Sequence, residues 1–223
     1  MTDSDDTDRP EEAFIPSGNC THPFFDPDGD KLREECGVFG AINAERAAAA
    51  TALGLHALQH RGQEAVGITS FDGRDFISRR GPGHVADNFA EADAIAELPG
   101  SMAAGHVRYS TTGGAGLRNV QPLYAELASG GFAVAHNGNI SNAATLRQDL
   151  VRRGSIFQST SDTEVIIHLV ATSRYPTVAD RLIDALRLVE GAYALIVMTP
   201  EGMIACRDPL GVRPLVMGRL GDA

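Results

Sequence analysis

The chain has 223 residues, 43% of them hydrophobic and 22% charged, which is typical of a soluble globular protein. No apolar run approaches the ~20 residues that cross a bilayer, and no basic cluster suggests a nucleic-acid surface. The net charge of −10 comes mainly from residues 1–35, which carry eleven acidic and three basic side chains. Three scattered cysteines are too few for a disulfide framework, so we expect a cytoplasmic protein.

Residues 1–35 are rich in Asp, Glu, Pro and Gly and show no hydrophobic periodicity, which predicts a disordered leader. The remaining residues, 36–223, form the predicted folded domain. Lys31 is the only lysine and lies in the leader. The folded domain therefore lacks a lysine for a Schiff base or a phosphate-binding loop, and a nucleophile there needs a histidine, a carboxylate or a terminal amine as its base.

The first predicted strand, residues 36–42, begins with a cysteine. Cys36 stands beside Gly37, which leaves its thiol accessible, so Cys36 is a candidate nucleophile. The alternative is a buried thiol that behaves as a small hydrophobic side chain. An alanine-rich helix is predicted over residues 45–60. It carries His56 and His60 one turn apart, but no third ligand follows at a suitable spacing, so no metal site is predicted.

The middle of the chain alternates between strands and a helix. Residues 65–71 and 75–79 predict a hairpin around the turn dipeptide Asp72-Gly73, and residues 85–98 predict a helix. The strand predicted at 102–109 runs into a polar cluster, and the strand at 132–136 stops at Asn137-Gly138-Asn139.

The last part of the chain returns from helices to strands. Ser161 and Glu164 have the spacing of a capping box at the start of a helix that reaches Thr172. Further helices are predicted at 142–153 and 177–189, and further strands at 193–199, 203–207 and 215–218. Strands grouped at both ends with helices between them predict an α+β fold with layered antiparallel sheets, not alternating βαβ units.

Three polar positions at element ends suit the recognition of an amino acid. Arg108 offers a planar fork for a carboxylate, and Asp162 at a helix start offers a charge for an ammonium group. Asn137 and Gly138 offer an amide and an accessible main-chain N–H, the donors of an oxyanion hole. With Cys36 as nucleophile, a glutamine side-chain amide is the natural substrate. The alternatives are a surface ion pair, a helix cap and an ordinary tight turn.

Six blocks of the sequence resemble, in the same order, the glutaminase domain of the amidophosphoribosyltransferase family in its bacterial, propeptide-bearing form. The resemblance runs from about Glu35 to about Gly218. The blocks are Cys36-Gly37-Val38-Phe39-Gly40, Leu58-Gln59-His60-Arg61-Gly62-Gln63-Glu64, His106-Val107-Arg108-Tyr109-Ser110-Thr111, His136-Asn137-Gly138-Asn139, Ser161-Asp162-Thr163-Glu164 and Arg207-Asp208-Pro209-Leu210-Gly211-Val212-Arg213-Pro214-Leu215.

The resemblance implies a four-layer αββα N-terminal-nucleophile fold, the class II glutamine amidotransferase fold, truncated here at its C-terminal end. The leader would be removed autocatalytically, so that Cys36 becomes the first residue and its own α-amine the base. The resemblance implies that Asn137 and Gly138 form the oxyanion hole. It also implies that Arg108 and Thr111 bind the α-carboxylate of glutamine and that Asp162 binds its α-ammonium group. Arg61 and Gly62 would belong to the loop that closes over bound glutamine.

The family passes ammonia to a phosphoribosyltransferase domain, which converts phosphoribosyl pyrophosphate to 5-phosphoribosylamine in the first step of purine biosynthesis. That domain is absent from this chain, so we expect at most a glutaminase here. The resemblance also implies a homo-oligomer with no nucleic-acid or membrane partner. We expect no cofactor in this chain. Mg²⁺, and in some members an iron–sulfur cluster, would belong to the missing domain.

Three alternatives remain open from the sequence. The first is the glutaminase half of a glucosamine-6-phosphate synthase, although Gln59-His60-Arg61-Gly62-Gln63 favours amidophosphoribosyltransferase. The second is a binding domain that keeps the pocket without turnover. The third is a thiol hydrolase whose base is His106 or His136.

Overall fold

The computed structural model describes residues 36–109 and 116–223. The leader, predicted to be disordered, and Thr111, predicted to bind the α-carboxylate of glutamine, lie outside the described residues.

One four-stranded antiparallel sheet is built from the first part of the chain. Its strands are β1 (Gly37–Ile42), β2 (Ala65–Phe71), β3 (Phe76–Pro82) and β4 (Met102–Arg108), in the spatial order β1-β4-β2-β3. The predicted β2–β3 hairpin is confirmed. Its turn is fixed by Asp72, whose Oδ1 accepts hydrogen bonds from the main-chain nitrogens of Arg74 and Asp75, each at 2.8 Å.

The second antiparallel sheet contains β5 (Leu123–Leu127), β6 (Gly130–Ile140), β7 (Gly191–Thr199) and β8 (Gly202–Arg207) in sequential order. The prediction that β6 ends at His136 is wrong, because the strand continues to Ile140.

Pairing with β7 explains the extra length of β6. Asn137 lies opposite Ala194 and Gly138 opposite Tyr193, so the neighbouring strand supplies partners for a segment that has the local composition of a turn. The strand predicted at 215–218 does not form, and Val216 and Met217 there are exposed.

Six helices cover the outer faces of the sheets in the described part of the chain. They are α1 (Ala47–Ala57), α2 (Val85–Phe89), α3 (Ala92–Ala96), α4 (Ala143–Arg152), α5 (Thr163–Thr172) and α6 (Val178–Leu186). Two short 3₁₀ turns lie at Gln59–Arg61 and Leu117–Asn119. The single helix predicted at 85–98 is two helices, because a continuous helix would place Phe89 and Ala94 on different faces, whereas both are buried.

The core has three layers of side chains. Leu55 of α1 packs with Val66 and Val107 on the outer face of the first sheet. Between the sheets lie six buried residues, Phe71, Met102, Ala104, Ala133, Ile196 and Met198. Ile166 of α5 and Leu182 of α6 cover the outer face of the second sheet. The order of layers is therefore α, β, β, α, as the resemblance implies.

The described residues include no helix that is both long and apolar enough to cross a membrane.

Candidate active site

Cys36 stands at the entrance to β1 with its side chain against the end of β4. Its Sγ lies 3.5 Å from the main-chain oxygen of Tyr109 and 3.4 Å from the main-chain nitrogen of the same residue. Its φ angle of 63° is left-handed, which is uncommon for a residue with a side chain. Cys206, the other described cysteine, is a poor nucleophile because burial raises its pKa to about 11.

A cavity of about 30 Å³ adjoins the thiol, and its walls come from both sheets and from the start of α5. The lining residues are Cys36, His106, Arg108, Tyr109, Asn119, Gln121, His136, Gly138, Ser161 and Asp162. Four of the residues predicted from the sequence thus meet at one cavity: the thiol, the arginine, the oxyanion-hole glycine and the acid.

Arg61 contacts the main chain of Cys36 at two points. The main-chain nitrogen of Cys36 donates to the carbonyl oxygen of Arg61 at 2.9 Å, and Arg61 Nε donates to the carbonyl oxygen of Cys36 at 2.8 Å. Arg61 is buried, and burial together with the nearby charge of Arg213 lowers its pKa. The described contacts of Arg61 therefore fix the position of the candidate nucleophile.

Gly62 packs directly against Arg108. A Cβ at position 62 would stand 2.7 Å from the main-chain carbon of Arg108, and the next contact along the chain joins Glu64 N to the Arg108 oxygen at 3.1 Å. Only a residue without a side chain allows this approach. Gly62 consequently holds the turn beside the end of β4, where the buried Arg108 side chain lines the cavity.

Asn137 and Gly138 lie within β6. Gly138 has a φ of 151°, and a Cβ there would stand 2.0 Å from the oxygen of Ala192 on β7. Asn137 is 3% exposed, and its Oδ1 has no hydrogen-bond partner in the described part of the chain. A buried acceptor without a partner is costly, so a donor from a ligand or water would satisfy Oδ1, whereas an oxyanion would need the Nδ2 donor of the same amide. Asn137, unlike Gly138, is not among the residues that line the cavity.

Asp162 caps α5. Its Oδ1 accepts a hydrogen bond from Thr163 N at 2.9 Å, and its Oδ2 accepts one from Ile140 N at 2.9 Å. The reciprocal capping box predicted for Ser161 and Glu164 is wrong. The Glu164 carboxylate turns instead to the preceding loop, where three donors outcompete the helix end.

The two buried histidines at the cavity are poor candidates for a base. Burial, with the charges of His136 and Arg108, lowers the pKa of His106 to about 3, far from neutral pH. Neither ring nitrogen of His106, nor Nε2 of His136, has a hydrogen-bond partner among the described residues. His136 Nδ1 contacts Thr163 Oγ1 at 3.1 Å, not the Cys36 thiol. This geometry does not favour the histidine-activated hydrolase.

Two cavity residues were not anticipated from the sequence. Gln121 links β6 to α5, because its Oε1 accepts from His136 N at 2.6 Å and its Nε2 donates to Thr163 Oγ1 at 3.1 Å. Asn119 makes two 2.9 Å hydrogen bonds to Thr160. Both follow a segment without periodicity, so no local pattern marks them. In the described residues, no group of three or more His, Cys, Asp or Glu side chains could hold a metal ion.

The family model described as "Glutamine amidotransferase domain" matches residues 106–223, more than half of the chain. The chain belongs to this family. The amidophosphoribosyltransferase of Rhizobium etli is 58% identical over 199 residues, which are 89% of this chain and 40% of that protein. The Bacillus subtilis amidophosphoribosyltransferase is 47% identical over 193 residues, 86% of this chain and 40% of that protein.

Solved structures agree with the sequence relatives. The B. subtilis glutamine phosphoribosylpyrophosphate amidotransferase complexed with ADP and GMP superposes with a TM-score of 0.78 at 44% identity, over 83% of this chain and 40% of that chain. A structure of the allosteric regulatory enzyme of purine biosynthesis superposes with a TM-score of 0.79 at 45% identity, again over 83% of this chain and 40% of that chain. The chain thus spans about 40% of the length of these curated relatives.

These relatives confirm the resemblance to amidophosphoribosyltransferases. They do not favour a glucosamine-6-phosphate synthase or a binding domain without turnover.

Proposed function

We propose that this domain hydrolyses glutamine at Cys36, and that the full-length protein uses the ammonia to convert phosphoribosyl pyrophosphate to 5-phosphoribosylamine in purine biosynthesis. The observation that carries the proposal is the meeting of Cys36, Arg108, Gly138 and Asp162 at one cavity. A thiol, a guanidinium, a main-chain donor and a carboxylate are the groups that glutamine hydrolysis requires.

Arg108 and Asp162 would hold the two α groups of glutamine. The Arg108 guanidinium pairs with the α-carboxylate, with Thr111 as a second ligand, and the Asp162 carboxylate pairs with the α-ammonium. The cavity of about 30 Å³ has room for water only, so glutamine binding requires its walls to separate. Arg61 and Gly62 do not line the cavity, so their proposed part in closing over glutamine requires their turn to move towards it.

The reaction proceeds through a thioester. The Cys36 thiolate attacks the carbonyl carbon of the side-chain amide, and the carbonyl electron pair moves to oxygen. The resulting oxyanion is stabilised by the Asn137 side-chain amide and the Gly138 N–H. The carbon–nitrogen bond then breaks as nitrogen takes a proton from the base, and ammonia leaves. Water attacks the thioester, which releases glutamate and restores the thiol.

The base is the α-amine of Cys36 after removal of the leader. An α-amine titrates near 7.7–8.0, close to the thiol pKa of about 8.5, whereas an acylated nitrogen cannot act as a base. One observation supports removal at this bond: the left-handed φ of Cys36 stores roughly 1–2 kcal/mol, which cleavage releases. The Arg61 carbonyl, which accepts from the Cys36 nitrogen, would then hold the freed amine.

We propose that removal is autocatalytic. Cys36 Sγ attacks the Glu35 carbonyl carbon, the peptide nitrogen leaves as the new amine, and water hydrolyses the thioester. The complete protein would be a cytoplasmic homo-oligomer whose phosphoribosyltransferase domain, with its Mg²⁺ and any iron–sulfur cluster, follows this domain.

A direct test measures glutamate and ammonia release from glutamine by the purified protein, before and after treatment with the glutamine affinity label 6-diazo-5-oxonorleucine. Label attached to Cys36 in peptide mapping, with loss of activity, is the expected result. Cys36→Ser should abolish both. Hydrolysis that survives Cys36→Ser would contradict the proposal. In the full-length protein, phosphoribosyl pyrophosphate, and not fructose 6-phosphate, should act as the ammonia acceptor.

A further inference from the structure

The carboxylate of Glu164 binds the loop that leads to Asp162. Glu164 lies in the first turn of α5 and is 7% exposed. Its Oε1 accepts from Gln158 N at 2.7 Å, and its Oε2 accepts from Ser159 N at 2.7 Å and from Ser159 Oγ at 2.6 Å. These three short, charge-assisted hydrogen bonds compensate a carboxylate that burial would otherwise destabilise.

Arg147 of α4 donates hydrogen bonds to main-chain carbonyl groups of the same loop. Its Nη1 and Nη2 each donate to the Ser159 oxygen at 3.0 Å, and Nη2 also donates to the Ser161 oxygen at 3.0 Å. The guanidinium carbon lies 4.0 Å from the ring centre of Phe157, and Nη2 lies 3.9 Å from Glu164 Oε2. Residues 157–161 are therefore held through their donors by Glu164 and through their acceptors by Arg147.

The negative charge of Glu164 has two basic side chains near it, Arg147 and His168. His168, one turn after Glu164, places its Nε2 3.8 Å from Glu164 Oε1, but burial lowers the pKa of His168. Near neutral pH the cation that faces Glu164 is therefore Arg147. Neither Glu164 nor Arg147 lines the cavity beside Cys36.

We infer that Glu164 and Arg147 are positioning residues that set the Asp162 carboxylate at the amino-group end of the glutamine site. The loop carries no helix or strand of its own, and it ends at Ser161 and Asp162, which both line the cavity. Asp162 is held on its other side by α5 and by Ile140 N. Precision at such a carboxylate depends on the residues that support it, so loss of the pair would weaken recognition of the α-ammonium. This inference rests on the proposed function.

The test compares two substrates in the mature full-length enzyme: glutamine, and 4-carbamoylbutanoate, which is glutamine without its α-amino group. In Glu164→Gln an NH2 group replaces one oxygen of the carboxylate. This group cannot accept a hydrogen bond from the main-chain N–H that it faces, so the loop shifts. We expect kcat/KM for glutamine to fall about tenfold through KM, the effect of roughly one charge-assisted hydrogen bond, with less than about a twofold change for the analogue. Asp149→Asn is the matched control, because the Asp149 side chain pairs, within residues 36–109 and 116–223, only with the exposed Arg152 on α4.

A double variant distinguishes an effect on the position of Asp162 from a general disturbance of the fold. In an Asp162→Asn enzyme, which has already lost the ammonium partner, adding Glu164→Gln should change kcat/KM for glutamine little further. If Glu164→Gln does not fold, Arg147→Lys replaces it in the test, because lysine keeps the charge but lacks the two parallel donors of the guanidinium. We expect kcat/KM to fall about threefold for glutamine and to change little for the analogue. Equal losses on both substrates, additive losses, or an unchanged KM would overturn the inference. A wild-type enzyme that fails to hydrolyse glutamine would instead contradict the proposed function.

Discussion

The main-chain nitrogen of Cys36 donates to the carbonyl oxygen of Arg61 at 2.9 Å, and the Arg61 side chain donates back to the Cys36 carbonyl at 2.8 Å. The pair fixes the residue that carries the thiol and also the nitrogen that would become the base. Both reacting groups of the proposed mechanism therefore depend on one arginine.

Replacing Arg61 tests this dependence. In Arg61→Lys the planar Nε donor is lost, so the thiol and amine should lose their alignment, and we expect kcat for glutamine hydrolysis to fall about tenfold or more, with any change in KM reporting the proposed closure over glutamine. Arg74→Lys, at an exposed arginine on the β2–β3 turn, is the control. A rise in KM at unchanged kcat would show that Arg61 acts through closure over glutamine alone and does not align the thiol.

Gly138 is expected to tolerate no side chain. In Gly138→Ala the new Cβ would stand 2.0 Å from the Ala192 oxygen, so β6 and β7 must separate where the oxyanion hole is proposed. We expect a loss of about 2–4 kcal/mol in the free energy of unfolding, measured with urea. Gly73→Ala is the matched control, with a φ of 99° but no atom within 4 Å of its Cβ, so it should lose only about 1 kcal/mol. Equal losses for the two variants would contradict the steric argument.

His106 should make the protein sensitive to acid. Its pKa is about 3 in the folded protein but near 6.5 when unfolded, so the unfolded chain binds the extra proton between these values. The contribution of the neutral ring is complete above pH 6.5 and declines as the pH falls towards 3, by up to about 1.4 kcal/mol per pH unit.

The pH dependence of urea unfolding measures this effect. We expect His106→Gln to flatten the dependence between pH 6 and 4, and His56→Gln, at an exposed ring on α1, is the control for replacing a histidine. A slope that is the same in wild type and His106→Gln would show that His106 is not a neutral buried group.

Local patterns predicted much of this fold because they matched the final pairing. Asp72-Gly73 marks the β2–β3 turn, and the strands around it agree with the prediction. Asn137-Gly138 has equally strong turn chemistry, yet it continues β6 because Ala194 and Tyr193, far along the chain, supply its partners.

The site shows the same limit of local reasoning. Asp162 and Arg108 stand at element ends, where side chains are free to face a cavity, and the sequence locates both. Gln121 lies at the cavity because it is hydrogen-bonded to both β6 and α5. These contacts join distant parts of the chain, so the sequence around Gln121 does not predict them. Glu164 has the spacing of a capping box, but the loop before it provides closer donors.

The central claim is that exposure of the Cys36 amine creates the catalyst, and N-terminal sequencing of an active preparation tests it most directly. The account predicts that the polypeptide begins at Cys36, and that activity rises in proportion to the fraction processed. A preparation that hydrolyses glutamine at full rate while its chain begins upstream of Cys36, or while the Cys36 amine is blocked, would contradict it.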